Sequence, residues 1–187
     1  EGEDISPQNA FYGGIGYVGD TRPDLSNLQL ALESIKAAEE YEDTVLKKSS
    51  EGRKEKMEPY WRKALVFLAR TQNLEAVNDM DYATNDGGFI YETGHYKPER
   101  SISYGSMTYA GLKSLLYAGI DKNDIRVRKA YEWIKDNYSV EKNPHFGKTS
   151  LYYYFMTATK CLTAFEDDTL VDTDGKRHYW REDFIKQ

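Results

Sequence analysis

The side chains able to do chemistry are scattered, with tyrosine the exception. Sixteen tyrosines occur in 187 residues. Tyr joins a broad apolar face to a polar tip, which suits wet clefts and half-buried seams, although a simple bias in composition gives the same count. Asp24 and Asp86 each stand before a segment of helical pattern or in the loop leading to it. A carboxylate there caps the free N–H groups of a helix start. Cys161 is the only cysteine. It excludes an internal disulfide and any metal site that needs two thiolates, and within an apolar helix it reads as a small core residue. His95 lies in a loop, His145 follows Pro144, and His178 follows a turn, so no two histidines share a helix at ligand spacing. Gly13-Gly14 and Gly87-Gly88 lack the Lys-Ser/Thr of a nucleotide loop and read as tight turns. The expectation is therefore no metal and no cofactor.

Helices are the elements that must position these groups. The first is expected over 26–40, with Ser26 as its cap and Leu28, Ala31, Leu32 and Ile35 at helical spacing. The charged stretch Glu42 to Lys56 reads as a solvated connection. A second helix is expected over 59–71, with Trp61, Ala64, Leu65 and Leu68 on one side and Arg62, Lys63 and Arg70 toward water. After a long irregular stretch to Ser103, a third is expected over 106–118, closed by Gly119 in a left-handed conformation. Asp124 is the expected cap of a fourth over 125–138, with Val127, Ala130, Tyr131, Ile134 and Tyr138 on one side. The fifth spans 150–165 with a stripe of Leu151, Phe155, Ala158, Leu162 and Phe165, and a sixth begins at Trp180. Only short β pieces fit the turns between them.

These helices repeat. Leu32-Glu33-Ser34-Ile35 aligns with Leu112-Lys113-Ser114-Leu115, and Leu162-Thr163-Ala164-Phe165 follows. Trp61-Arg62 matches Trp180-Arg181 in the second helices of each pair. A glycine-aromatic turn precedes two of the first helices: Gly13-Gly14-Ile15-Gly16-Tyr17 and Gly87-Gly88-Phe89-Ile90-Tyr91. Uneven repeats of this kind fit stacked hairpins with inserted loops.

Composition bounds the partners. The chain has 21.6 kDa, 40% hydrophobic and 30% charged residues, which is a globular composition for one domain. Lys and Arg number 25 against 31 Asp and Glu, giving a net charge of −6 and a pI near 5.2. No basic excess is available to neutralise phosphates, which argues against nucleic acid as a partner. No run of eighteen apolar residues exists, so no transmembrane helix is expected.

The turns and helix starts together resemble the terpenoid cyclase and protein prenyltransferase superfamily, and most of all its prokaryotic members with prenyltransferase and squalene oxidase type repeats. The stretches that carry the resemblance are Phe11-Tyr12-Gly13-Gly14-Ile15-Gly16-Tyr17, Arg22-Pro23-Asp24-Leu25-Ser26-Asn27, Asn85-Asp86-Gly87-Gly88-Phe89, Ser103-Tyr104-Gly105-Ser106-Met107-Thr108-Tyr109-Ala110-Gly111-Leu112-Lys113, and Leu151-Tyr152-Tyr153-Tyr154. The resemblance implies an all-α fold, an α/α toroid of repeated helical hairpins. Helices near 26–40, 104–118 and 150–165 would be inner, and those near 59–71, 125–138 and 180 onward outer. Three hairpins are fewer than a closed toroid needs. The expectation is thus an incomplete barrel, lacking a piece beyond Gln187 or before Glu1, which implies either self-association through exposed edges or a longer natural protein.

The resemblance also sets expectations for chemistry. Squalene-type cyclases protonate their substrate with an Asp-x-Asp-Asp motif and line the cavity with aromatic rings. Phe165-Glu166-Asp167-Asp168 lacks the first Asp of that motif, follows an inner helix, and reads as a solvated turn. Asp24 and Asp86 are the better candidates for a catalytic acid, beside their capping role. Tyr17, Phe89, Tyr91, Tyr104, Tyr109, Tyr153 and Tyr154 are the candidate ligand-binding residues, with packing between inner and outer helices as the alternative. Tyr17, Asp20 and Arg22 are candidates for a polar rim. The zinc site of Asp, Cys and His in protein prenyltransferases is not matched, since Thr159 stands two residues before Cys161. The implied function is a cyclase-like or prenyltransferase-like domain for an apolar, isoprenoid-like small molecule. The alternative is a non-catalytic helical-repeat module for protein binding or structure.

Overall fold

The computed structural model describes residues 5–17, 22–47, 51–94 and 101–187, with backbone alone for 51–56. Asp20 and His95 lie outside the described residues. The chain is mostly helical, with α1 (Leu25–Thr44), α2 (Glu51–Thr71), α3 (Gly105–Tyr117), α4 (Ile125–Asp136), α5 (Leu151–Phe165) and α6 (Trp180–Ile185). A two-stranded antiparallel hairpin, β1 (Leu170–Val171) with β2 (Arg177–His178), links α5 to α6. No helix among the described residues is long and apolar enough to cross a membrane.

The middle of the molecule is α3. Every residue from Gly105 to Leu115 is buried, because α1, α2, α4 and α5 all pack against it. A helix buried all round must satisfy its polar side chains internally. Thr108 and Ser114 do so by donating to the carbonyls of Tyr104 and Ala110, four residues back. Gly111 allows Phe89 to lie directly on the helix, since a Cβ at that position would stand 2.4 Å from the ring. Phe67, Leu68, Phe89 and Leu112 are wholly buried around it. Each such side chain contributes about 1.5–3 kcal/mol relative to exposure.

Lys113 is also wholly buried. Its Nζ donates to Gln29 Oε1 at 2.5 Å and to Glu33 Oε2 at 2.6 Å, both on α1. The other oxygen of Glu33 pairs with Lys160 of α5. Glu33 lies eight residues past Leu25, Lys113 eight past Gly105, and Lys160 nine past Leu151. The three helices therefore run side by side at one level, held by one carboxylate between two ammonium groups. Burial works to raise the Glu33 pKa, but hydrogen bonds from Lys113 and Lys160 outweigh it and hold the carboxyl below its usual range. Burial lowers the Lys113 pKa, with Glu33 opposing.

The two glycine turns dock in the same manner. Gly13 has φ +79°, and a Cβ there would meet the Lys63 carbonyl of α2 at 1.9 Å. Gly87 has φ +83°, and a Cβ there would meet the Lys129 carbonyl of α4 at 2.6 Å. Only glycine permits both the left-handed backbone and the close approach.

Several sequence expectations are corrected. The cap of α1 is Asp24, not Ser26: Asp24 Oδ1 accepts from the Asn27 N–H at 2.8 Å, while Ser26 Oγ donates to the same oxygen at 2.5 Å. The charged stretch 42–56 is largely helical, because α1 runs on to Thr44 and α2 starts at Glu51. Glu and Lys, which dominate this stretch, are strong helix formers. Arg70 is buried instead of solvated, since its guanidinium is forked onto Asp79 at 2.7 and 2.8 Å and also reaches the carbonyls of Pro7 and Asn9. On α5 the buried line runs through Tyr154, Thr157, Ala158, Cys161, Leu162 and Phe165, leaving Leu151 and Phe155 half-buried. The expected Asp124 cap of α4 and the left-handed Gly119 after α3 are both present.

Candidate functional site

The starts of α1, α3 and α5 meet at one end of the bundle and enclose a cleft of about 370 Å³. Its walls include Ser26, Asn27 and Leu30 of α1, Ser106 and Met107 of α3, and Tyr153 of α5. The loops before and between the helices add Tyr17, Tyr91, Tyr104 and Phe146. Local backbone contacts fix those loops. The Leu25 N–H, at the head of α1, donates to the Tyr91 carbonyl at 2.8 Å. The Gly105 N–H, at the head of α3, donates to the Pro144 carbonyl at 2.9 Å. Each of these two loops thus closes the start of an earlier helix and delivers an aromatic ring to the cleft.

The rings and hydroxyls are ordered by their neighbours. Tyr104 and Phe146 stack with centroids 4.7 Å apart and planes at 16°. Tyr153 Oη accepts from Gln29 Nε2 at 3.4 Å, and the oxygen of that amide accepts from Lys113. The cleft wall is therefore coupled to the ion pair that joins the three helices. Burial raises the hydroxyl pKa values of Tyr104 and Tyr153, and the Asp24 carboxylate nearby adds to both shifts. These groups are neutral phenols at physiological pH, able to donate or accept.

Asp24 sits directly behind this cleft and is itself buried. Oδ1 accepts from Ser26 Oγ and the Asn27 N–H, and Oδ2 accepts from Asn27 Nδ2 at 2.6 Å. Both oxygens are engaged by neighbouring donors, so Asp24 orients two cleft side chains. Asp86 is exposed and belongs to a different cavity. Its Oδ1 accepts from the Gly88 N–H at 2.8 Å and from Ser103 Oγ at 2.7 Å.

Four of the seven aromatic candidates meet in the cleft: Tyr17, Tyr91, Tyr104 and Tyr153. The other three are packed in the core. Phe89 lies on Gly111, while Tyr109 and Tyr154 meet edge to face at 5.7 Å. Tyr154 Oη donates to the Ser139 carbonyl at 2.6 Å, whereas the buried Tyr109 hydroxyl makes no well-formed hydrogen bond. Arg22 is exposed and stays outside the cleft lining. Sequence reasoning missed Asn27, Ser106, Met107 and Phe146. The signal for Phe146 was the third loop of the series, Asn143-Pro144-His145-Phe146-Gly147, which lacks the paired glycines of the other two.

The remaining reactive groups have structural duties. Burial pushes the Cys161 thiol far up, so it is inert as a nucleophile. His178 bonds Asp172 at 2.8 Å and packs on Tyr138. Asp167 accepts from Tyr131 Oη, and Asp168 pairs with Arg181. Among the described residues, no group of three or more His, Cys, Asp or Glu side chains converges on a metal position.

No family model matches the chain, and neither the curated proteins nor the solved structures contain a match.

Proposed function

We propose that the chain is a binding domain of the terpenoid cyclase and protein prenyltransferase type, forming part of an α/α toroid, whose tyrosine cleft receives a short apolar, isoprenoid-like chain. The observation that carries this reading is the convergence of Tyr17, Tyr91, Tyr104 and Tyr153 at the starts of three laterally packed helices. The matching seats of Gly13 on α2 and Gly87 on α4 support a repeated hairpin unit. A volume of about 370 Å³ is near the lower end of the ~300–1,000 Å³ usual for small-molecule sites, which suits one short chain. Apolar contact would come from Leu30, Met107 and the ring faces, and orientation from the phenol hydroxyls and Ser106. The role is binding and not acid-catalysed cyclisation, because Asp24 is engaged as a cap and Asp86 opens elsewhere. The apolar groove of Phe155, Met156, Phe184 and Ile185 beside α5 and α6 is the edge through which copies would associate.

The engaged carboxylates equally favour a second reading, a helical-repeat module that binds protein. Native mass spectrometry of the protein gently extracted from its own cells separates the two. A retained lipid-like adduct of defined mass supports the first. A clean unliganded protein counts against it, and a stoichiometric protein partner selects the second.

A further inference from the structure

Two hydroxyls of the tyrosine cleft are each bonded to a side-chain amide that can face only one way. Ser106 and Tyr153 both line the cleft. Ser106, in the first turn of α3, is only 2% exposed. Behind it stands Asn143, wholly buried in the loop before α5. Asn143 Oδ1 accepts from the Ser106 N–H at 2.9 Å, and Asn143 Nδ2 donates to Ser106 Oγ at 3.0 Å. A backbone N–H only donates, so it fixes which end of the amide is the oxygen. Ser106 Oγ must then accept from Nδ2, and its own hydrogen is left for another acceptor. The backbone holds Asn143 in turn. Its N–H donates to the Gly147 carbonyl at 2.7 Å, and its carbonyl accepts from the Phe146 N–H at 2.9 Å. Gly105 gives the amide room, since a Cβ there would stand 2.6 Å from Asn143 Oδ1.

Tyr153 repeats the arrangement with different parts. Gln29, wholly buried on α1, has its Oε1 2.5 Å from Lys113 Nζ. An ammonium group only donates, so the amide nitrogen must face the other way. Nε2 accordingly donates to Tyr153 Oη at 3.4 Å and to the Ser26 carbonyl at 3.3 Å. The phenol oxygen is again the acceptor, and burial together with the Asp24 carboxylate keeps the phenol protonated. Among the described residues, neither hydroxyl hydrogen is given to an acceptor. On the reading that the cleft receives an apolar chain, we infer that this chain carries a carbonyl-type oxygen, which accepts from Ser106 Oγ, Tyr153 Oη or both. Such an oxygen has two lone pairs and no hydrogen of its own, so it matches a wall that offers hydrogens. The carbon chain would lie along Leu30, Met107 and the rings. Because the amides already hold the two hydroxyls, binding does not have to order the donors.

Methyl NMR of the whole chain, labelled with carbon-13 at its methionine methyl groups, tests this, because Met107 lies in the cleft lining. The Met107 signal is assigned with Met107→Leu. The probes are geranylacetone and the hydrocarbon in which its C=O is replaced by C=CH2. The expected result is a saturable shift of the Met107 signal by the ketone at about tenfold lower concentration than by the hydrocarbon. Ser106→Ala, Tyr153→Phe or the two together should bring that ratio to about twofold or less, with the hydrocarbon's affinity unchanged. The carbonyl carbon resonance of the bound ketone gives a readout that needs no variant. It should lie downfield of its position in hexane, as a hydrogen-bonded carbonyl does. Equal affinity for the two probes, a carbonyl resonance at the hexane position, or a ketone preference unchanged in a folded double variant overturns the inference and leaves the apolar-chain reading standing. If neither probe shifts the Met107 signal, both fall.

Discussion

Replacing Glu33 by Ala exposes the energetics of the join between the three central helices. In the native chain the wholly buried Lys113 ammonium has two acceptors, Gln29 Oε1 and Glu33 Oε2. Glu33→Ala leaves the charge with the amide alone. Removing one partner of a buried pair costs about 3–5 kcal/mol. The Glu33 side chain is 22% exposed, so water reaches the vacated space and the lower end, about 3 kcal/mol, applies. Lys113→Met removes the buried charge as well and keeps the aliphatic stem. It leaves Gln29 Oε1 without its donor while Glu33 keeps Lys160, for a cost of about 1–2 kcal/mol. The double variant is then less destabilised than the sum of the two, with a coupling of at least about 1 kcal/mol. Urea denaturation followed by circular dichroism reads all four proteins. The pH dependence supplies a second sign. Burial depresses the folded Lys113 pKa below 10.5, so between that folded value and 10.5 the unfolded chain binds more protons, and stability rises with pH. Without Glu33 the folded value falls further and the rise begins at lower pH. Glu33 acts oppositely: its depressed carboxyl contributes stability above its ordinary 4.5 that is lost as pH falls through the folded value. A Glu33→Ala variant within about 0.5 kcal/mol of wild type, or a Lys113→Met variant costlier than Glu33→Ala, refutes this reasoning.

Other substitutions test other joints. Gly87→Ala places a Cβ 2.6 Å from the Lys129 carbonyl in a left-handed backbone and should cost well over 2 kcal/mol in thermal or urea unfolding, whereas Gly175→Ala, at φ +81° with open space around it, should cost only about 1 kcal/mol. Tyr109→Phe removes a buried hydroxyl without a well-formed partner and should leave stability unchanged or raise it by up to about 1 kcal/mol, while Tyr154→Phe loses the bond to Ser139 and should cost about 1–1.5 kcal/mol. Asp24→Ala removes the α1 cap together with the restraints on Ser26 and Asn27, and should lower stability by about 1–2 kcal/mol with faster amide exchange at the start of α1.

Helix existence is legible because apolar spacing of three and four is a local signal, and all six helices are placed within a few residues at one end or both. The sixth is a short helix, Trp180–Ile185. What failed depended on partners distant in the chain. Arg70 reads as a solvent-facing cation until Asp79 and the carbonyls of Pro7 and Asn9 surround it. The burial of Lys113 likewise depends on a distant partner, and the repeat holds the clue: Leu32-Glu33 aligns with Leu112-Lys113, and those equivalent charges meet at 2.6 Å. The candidate site was half legible. Tyrosines in the loops and first turns, Tyr17, Tyr91, Tyr104 and Tyr153, reach the cleft. Tyr109 and Tyr154 lie in helix positions turned into the bundle, and a single sequence does not reveal which way a helix buried all round is turned.

The tyrosine cleft is the proposed place of an apolar chain. Photo-crosslinking with a diazirine-bearing farnesol analogue, followed by peptide mapping, reads that directly. The prediction is labelling of the peptides that carry Tyr91, Tyr104, Met107 and Tyr153, competed by unlabelled farnesol and lost in a Tyr104→Ala, Tyr153→Ala double variant that remains folded. Labelling concentrated on Phe155 and Phe184 in the groove beside α6, or labelling that farnesol does not compete, would contradict it.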